Sequence, residues 1–218
     1  MDNQKNKAIH VKGGRTYAFF KRFFDIFFSL LAVFILSPLL LIIGLLVVLT
    51  SKGPMIYVSN RVGQNGKVFK FYKFRSMKKD AEEELQTLLN KNEIPGGVTF
   101  KIKDDPRITK FGKILRRTSL DELPQLFNIL KGDMSIVGPR PCTVREYELY
   151  NDYDKQRLLV PQGLSGEWQV HGRSTTTFDE MIEMDLDYIQ NKRSLWYDAK
   201  LIFKTVILLF GFKKSGAE

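Results

Sequence analysis

The chain has 218 residues and a formal net charge of +10, and the basic excess is confined to one part of the sequence. Residues 1–79 contain fourteen Lys and Arg but only two acidic residues, whereas residues 80–218 contain twenty basic and twenty-two acidic residues. This uneven distribution argues against a nucleic-acid partner and for an anionic membrane surface. The single cysteine, Cys142, excludes an intrachain disulfide and a cysteine-based zinc site, and it suits a reducing cytoplasm.

The longest apolar run, residues 26–51, contains no charged side chain. As a straight helix it would be about 39 Å long, which exceeds the roughly 30 Å hydrocarbon core of a bilayer. Basic residues flank both ends of the run, whereas a spanning helix concentrates them on the cytoplasmic side. Ser37-Pro38 lies near its middle, where proline removes a helical hydrogen bond. We expect a bend there, with the serine hydroxyl bonding the freed carbonyl.

These features predict a re-entrant helix-break-helix over residues 16–51, which enters and leaves the membrane by the same face. A kinked spanning helix is the alternative, because such helices also tolerate proline. In this interpretation residues 1–15 form a basic N-terminal tail, and residues 52–218 form a cytosolic domain at the membrane surface.

The remaining sequence predicts short strands and helices. A strand-like segment, 55–63, and a segment with alternating aromatic residues, 68–77, flank Asn65-Gly66 and predict a hairpin. Helices are expected over residues 80–91, 110–117, 121–132, 178–192 and 196–214, with loops over 92–106 and 161–173. The fold class is therefore α+β and mostly helical. The last helix is apolar with lysines, which is typical of a membrane interface, and it offers a surface for a homodimer.

Two adjacent carboxylates, Asp121 and Glu122, stand at the predicted start of a helix, where the macrodipole favours their ionised forms. An ionised aspartate near a divalent cation can attack phosphorus and form an acyl phosphate. Its neighbour can hold Mg²⁺ through oxygen. Simple helix capping is the alternative, and the residue types alone do not rank the two carboxylates.

Basic residues also occur in constrained segments, and guanidinium groups there can bind phosphate bidentately. The segments are Lys73-Phe74-Arg75, Gly138-Pro139-Arg140 and His171-Gly172-Arg173. Surface solvation or a structural ion pair is the alternative for each of them. With His10 and His171 as the only histidines, a histidine metal cluster is not expected.

Several motifs occur together, over residues 16–210, in an order that resembles the bacterial sugar transferases. These are the small monotopic polyprenyl-phosphate phosphoglycosyl transferases. The motifs are KRFFDIFFSL, Ser37-Pro38, Asn60-Arg61-Val62-Gly63, KFYKFRSM, RRTSLDELPQLFNILKGDMSIVGPRP and PQGLSGEWQVHGR.

The resemblance implies transfer of a sugar 1-phosphate from a UDP-sugar to a polyprenyl phosphate such as undecaprenyl phosphate, with release of UMP. It implies Asp121 as a nucleophile that forms an aspartyl-phosphosugar intermediate, and Glu122 as its partner at Mg²⁺ (or Mn²⁺) and the phosphates. Ser37-Pro38 matches the break of the re-entrant helix. The other matching positions near the phosphates and the site are Lys73, Arg116, Arg140, Arg173 and Asp185.

It also implies a catalytic domain on the cytoplasmic face of the bacterial inner membrane, in contact with anionic lipids. The product would begin an exopolysaccharide, capsule or glycan repeat that downstream glycosyltransferases extend. The chain resembles the minimal form of the family, since longer relatives carry four further transmembrane helices and another soluble domain. Ser165-Gly-Glu167-Trp departs from the sequence of several relatives, so the sugar is left open. Direct Mg²⁺-assisted transfer and a non-catalytic scaffold for lipid phosphates are the alternatives.

Overall fold

The computed structural model describes residues 8–79, 81, 83–84, 105–172 and 176–209. Residues 92–104 of the predicted loop and most of the predicted helix at 80–91 lie outside these residues, as does Arg173. Within them, the mostly helical α+β fold is confirmed.

Helices and strands alternate along the described chain. The helices are α1 Arg15–Thr50, α2 Lys110–Arg117, α3 Gln125–Lys131, α4 Val144–Leu149, α5 Asp152–Lys155, α6 Glu167–His171, α7 Phe178–Asp187 and α8 Leu195–Leu209. Short 3-10 or π turns cover Gln64–Gly66, Leu120–Glu122, Gln156–Leu159 and Tyr188–Lys192. The strands are β1 Ile56–Val62, β2 Val68–Phe74, β3 Met134–Val137, β4 Cys142–Thr143 and β5 Gln162–Ser165.

The predicted hairpin is confirmed as β1 and β2, which pair antiparallel with Tyr57 opposite Lys73 and Arg61 opposite Phe69. The connection is a 3-10 turn in which Asn65 and Gly66 both have positive φ, 55° and 76°. These left-handed conformations explain why Asn and Gly occupy the turn. Strand β4 adds to the free edge of β1, while β3 and β5 form a separate parallel pair.

The 36-residue helix α1 continues through Pro38, so the predicted break between two half-helices is not present in the described residues. Pro38 cannot donate to the carbonyl of Phe34, and the Ser37 hydroxyl donates to that carbonyl at 2.9 Å, as the sequence predicted. Among the described residues, α1 is the one helix whose length and composition would allow it to cross a membrane. The topology that it adopts in a bilayer stays a prediction.

Two stretches of α1, on either side of its middle, have residues buried against the rest of the protein. The buried residues of α1 follow helical spacing and are Lys21, Asp25, Ser29, Ile43, Gly44 and Val47. The opposite side exposes large apolar side chains, with Phe34 80% and Leu41 75% exposed. Exposure of this many apolar groups is typical of a membrane-contacting surface.

Both ends of α1 are tied to the same domain. Near its start, the Arg22 guanidinium donates to the Ile129 and Leu130 carbonyls at the end of α3, and the Asp25 carboxylate accepts from the Ile136 amide. At its other end, the Arg75 side chain donates to the Ser51 carbonyl at 2.6 Å. These side chains satisfy backbone groups that helix ends and strand edges would otherwise leave free.

The segment before α1 lies on the same domain. The Lys12 amide donates to the Ile189 carbonyl at 3.0 Å, and Arg193 donates back to the Lys12 carbonyl at 2.9 Å. Ile9 and Val11 pack against the core cluster formed by α7 and α8. The chain on both sides of α1 therefore contacts one body.

Candidate active site

The two predicted catalytic carboxylates lie in a tight turn. Ser119 has a left-handed backbone (φ 56°) and directs the chain into the 3-10 turn Leu120–Glu122. The expectation that one helix begins at Asp121 is wrong, because α3 begins only at Gln125. Pro124 explains the difference, since it has no N–H to donate to the carbonyl four residues earlier and so delays the α-helical ladder.

This turn rests on the apolar helix α1. Leu120 and Leu123, on either side of the carboxylates, pack against the cluster formed by Ile43, Val47, Phe74 and Leu115. Two of these residues belong to α1, so apolar packing holds Asp121 and Glu122 beside it. The two carboxylates are thereby fixed at the junction between the domain and its apolar surface.

Lys73, on β2, contacts both carboxylates. Its Nζ donates to Glu122 Oε1 at 2.7 Å and lies 3.8 Å from Asp121 Oδ2. The Asp121 side chain is only 7% exposed, whereas that of Glu122 is 34% exposed. One lysine thus bridges a buried carboxylate and a more accessible one.

The surroundings shift the two carboxyl groups in opposite directions. Burial raises the pKa of Asp121, against the attraction of Lys73. Burial is also the largest single effect on the pKa of Glu122, but Lys73 and Arg140 outweigh it and lower that pKa. Neighbouring groups whose pKa values move apart are typical of sites that assign them different chemical roles.

Two of the predicted arginines lie within the electrostatic range of the carboxylates. The Arg116 Nε donates to Ser76 Oγ at 3.0 Å; burial lowers the pKa of its guanidinium and Asp121 opposes that shift. Arg140 is exposed, and its guanidinium lies 5.7 Å from the Trp168 ring centroid. Both contribute positive charge where a phosphate ester would need it.

Asp185 is connected to the site indirectly, through Arg157. It is 1% exposed and binds the buried Arg157 through Oδ2 at 2.5 Å. Arg157 in turn donates to the backbone carbonyl of Arg140 at 3.1 Å. Asp185 therefore acts on the site by holding the segment that carries Arg140.

Arg75, from the first basic segment, has a structural position instead. It is 7% exposed, and its guanidinium bonds the end of α1 through Ser51 and Pro54. The structural alternative is thus the correct interpretation for this arginine. Of the third segment, His171 accepts from Lys204 at 2.7 Å, and Arg173 lies outside the described residues.

Glu167, for which the sequence offered no role, is buried in a polar cluster. Its carboxylate accepts from Lys192 at 2.8 Å and from the Tyr197 hydroxyl at 2.9 Å. These contacts join the start of α6 to the π turn and α8. They also fix the position of the neighbouring Trp168, whose ring faces Arg140.

Arg61 lies near Glu122 and occurs in one of the motifs, but it was not among the predicted site residues. It is on β1, on the same face of the hairpin as Lys73, because residues paired across an antiparallel ladder share a face. The charge of Arg61 contributes to lowering the pKa of Glu122. The alternation of the hairpin from Tyr57 onward carried the signal that could have identified it.

The donor set fits a small hard cation. Among the described residues no group of three or more His, Cys, Asp or Glu side chains could hold a metal by itself. However, Mg²⁺ is usually bound by one or two carboxylates, with substrate phosphates and water as the other ligands. Asp121 and Glu122 meet that requirement.

Comparison with known protein families identifies the class of protein. A family model described as "Bacterial sugar transferase" matches residues 16–211. The chain belongs to the bacterial sugar transferase family.

Curated relatives bear out this membership. The chain is 53% identical over 161 residues to the galactosyl transferase CpsE of Streptococcus agalactiae, and the match covers 73% of this chain and 35% of that protein. It is 45% identical to the undecaprenyl-phosphate galactose phosphotransferase of Salmonella typhimurium, covering 93% of this chain and 42% of that protein. It is 41% identical to the exopolysaccharide production protein ExoY of Sinorhizobium fredii, covering 93% and 89%. The chain thus spans less than half the length of the first two relatives and most of the third.

Proposed function

We propose that this protein transfers a sugar 1-phosphate from a UDP-sugar to a polyprenyl phosphate, with UMP as the leaving group. Relatives are named as undecaprenyl-phosphate galactose phosphotransferase and UDP-glucose:undecaprenyl-phosphate glucose-1-phosphate transferase. The observation that carries the proposal is the pair Asp121 and Glu122, bridged by Lys73 at the side of an apolar helix. Such a site can serve one water-soluble and one lipid-borne phosphate.

The proposed reaction has two steps. An Asp121 carboxylate oxygen attacks the phosphorus that carries the sugar, and the bond from that phosphorus to the bridging oxygen breaks, so UMP leaves. An oxygen of the polyprenyl phosphate then attacks the same phosphorus, which releases Asp121 as carboxylate and forms the diphosphate-linked sugar. The higher pKa that burial imposes on Asp121 makes its ionised form a more basic nucleophile.

The basic residues would position and neutralise the phosphates. Lys73 and Arg140 provide fixed positive charge beside the reacting phosphorus, and Arg116 adds charge on the Asp121 side. A Mg²⁺ ion would be held by Asp121 and Glu122, and it would supply charge neutralisation for the phosphate oxygens.

The contacts of α1 favour the re-entrant topology. A straight helix of this length would be about 54 Å long, and crossing the roughly 30 Å hydrocarbon core would separate its two flanks. Here the Lys12 amide, before the helix, donates to the Ile189 carbonyl of the domain. Arg75 of the domain donates to the Ser51 carbonyl just after the helix. We therefore propose a monotopic protein whose domain lies on the cytoplasmic face, where the anionic leaflet meets the basic flanks.

The covalent step is tested without the lipid acceptor. Purified protein in detergent, incubated with a UDP-sugar labelled in the sugar, should release about one UMP per active molecule and retain label on a peptide containing Asp121. Asp121→Asn should abolish the adduct and lower turnover on the order of a thousandfold or more. Glu122→Gln should slow turnover, with any adduct still at residue 121.

Asp152→Asn is the matched control, because that carboxylate is fully exposed. It should behave as the unmodified protein. UMP release that requires the lipid, with no adduct trapped, would replace the two-step route by direct transfer between substrates. No UMP release under any condition would support the scaffold interpretation.

A further inference from the structure

Arg61 occupies an unusual position for a surface arginine of a small hairpin. Its guanidinium lies 5.3 Å from the centroid of the buried Phe71 ring, and Lys73 Nζ lies 5.5 Å from the same centroid. Two cationic groups therefore lie close to the Phe71 ring, and one of them is the lysine that bridges the two carboxylates. Cation–π contact of this kind orients a guanidinium without using its N–H donors.

Those donors are poorly satisfied. The side chain is 17% exposed, and its buried Nε has no hydrogen-bond partner among the described residues. Nη1 makes one long bond of 3.4 Å to the Pro141 carbonyl. The nearest carboxylate oxygen, Glu146 Oε2, is 3.9 Å away and already accepts from the Thr143 amide at 2.6 Å.

A partly buried guanidinium whose buried Nε–H has no partner is costly unless an anion completes it. A second arginine, Arg140, increases the need for an anion. Burial lowers the pKa of Arg61, and the like charge of Arg140 lowers it further. Two guanidinium groups that repel each other beside a single accessible carboxylate, Glu122, are typical of a pocket for a polyanion.

We infer that Arg61 binds a phosphoryl oxygen of a phosphate-ester substrate, together with Arg140. This inference rests on the proposed function and adds a phosphate-binding residue to it. Two substrates carry the same chemistry, the nucleotide diphosphate of the donor and the monoester of the polyprenyl acceptor.

Kinetics of Arg61→Ala, with UDP-sugar and polyprenyl phosphate varied separately, test the inference. Loss of a charge-assisted bond should lower kcat/KM for the bound substrate about tenfold to a hundredfold. A defect for the UDP-sugar, with a smaller UMP burst, assigns Arg61 to the donor. A normal burst with a raised KM for polyprenyl phosphate assigns it to the acceptor. Arg61→Lys should recover only part of the loss, since lysine restores the charge but not the fork.

Arg145→Ala is the matched control, because Arg145 is exposed on α4. Equal kinetics of the Arg61 and Arg145 variants for both substrates would overturn the inference. So would an equal defect in Glu146→Gln, because Arg61 would then act by holding α4.

A second measurement does not depend on turnover. The rise in Tm caused by UDP, or by a short-chain polyprenyl phosphate, should be smaller in Arg61→Lys than in the unmodified protein. Unchanged shifts with both ligands would overturn the inference. If the unmodified protein releases no UMP, the proposed function fails, and these Tm shifts still decide whether Arg61 binds phosphate esters.

Discussion

At the scale of single residues, burial and partners separate aspartates that look alike in the sequence. Asp121 is buried, and its Oδ2 lies 3.8 Å from Lys73 Nζ, which is too far for a hydrogen bond. This carboxylate oxygen is therefore available to react. Asp185 is buried against Arg157 in a 2.5 Å ion pair. The first arrangement suits a nucleophile and the second suits a support.

Asp185→Asn should therefore destabilise the fold as well as slow the reaction. It leaves the guanidinium of Arg157 buried without a counter-charge, which typically costs about 3–5 kcal/mol. We expect a lower Tm in detergent and a moderately reduced kcat, since Arg157 also holds the Arg140 backbone. Glu183→Gln, exposed on the same helix, should change neither. A normal Tm with a large KM defect would instead make Asp185 a ligand.

At the scale of elements, a buried polar cluster joins the start of α1 to the start of α8. The Asp198 carboxylate accepts from Lys21 at 2.8 Å, from the Tyr17 hydroxyl at 2.7 Å and from the Tyr188 hydroxyl at 2.6 Å. Because these groups are buried, the pairing depends on all its members. It fixes the membrane-associated helix relative to the domain.

Asp198→Asn and Lys21→Met should have unequal effects on stability. The first leaves the Lys21 ammonium buried without its counter-charge and weakens two tyrosine bonds, so we expect a loss of about 3–5 kcal/mol. The second leaves a carboxylate that two hydroxyl groups still solvate, so its loss should be smaller. Thermal unfolding in detergent gives the order. Lys155→Met, which breaks the exposed pair with Asp152, should cost less than about 1 kcal/mol; equal losses in all three variants would contradict this account.

At the scale of the whole molecule, the charge asymmetry of the sequence and the packing of α1 both place the two flanks of α1 on the same side. The basic third of the sequence surrounds the apolar helix, and both its flanks contact the same domain. A site beside that helix would receive a lipid phosphate from the bilayer and a nucleotide from the cytoplasm. Exposed apolar side chains of α8, with Trp196 83% and Phe203 66% exposed, fit the predicted interfacial helix, which remains a prediction.

The topology predicts the same labelling on both sides of α1. Single cysteines at Ala8 and at Lys67, both exposed, on a Cys142→Ala background, should resist a membrane-impermeant thiol reagent in intact cells. Both should react after the membrane is permeabilised, which is the control for reactivity. Labelling of only one site in intact cells would establish a spanning helix instead.

Much of this protein could be predicted from local sequence. The apolar run, the Asn65-Gly66 hairpin and the hydroxyl of Ser37 follow from hydrophobicity, positive φ and the missing N–H of proline, which act within a few residues. The residue types of the site could also be selected, because phosphate chemistry needs carboxylates and basic groups. Strands β3 and β5 could not be distinguished from loops, since a pair of four-residue strands is stabilised by its partner rather than by its own propensity.

From the sequence alone one can predict an apolar helix suited to a membrane and a carboxylate pair suited to phosphoryl transfer. Packing between distant segments was needed to show that Lys73 bridges the carboxylates, that Arg75 binds the end of α1 and that Arg61 lies near Glu122. These residues are all basic and lie within or next to one hairpin, so composition does not distinguish them. Their roles differ because the electrostatic energy of a basic group depends on its burial and on its distance to a counter-charge. Both of these follow from packing between segments that are far apart in the chain.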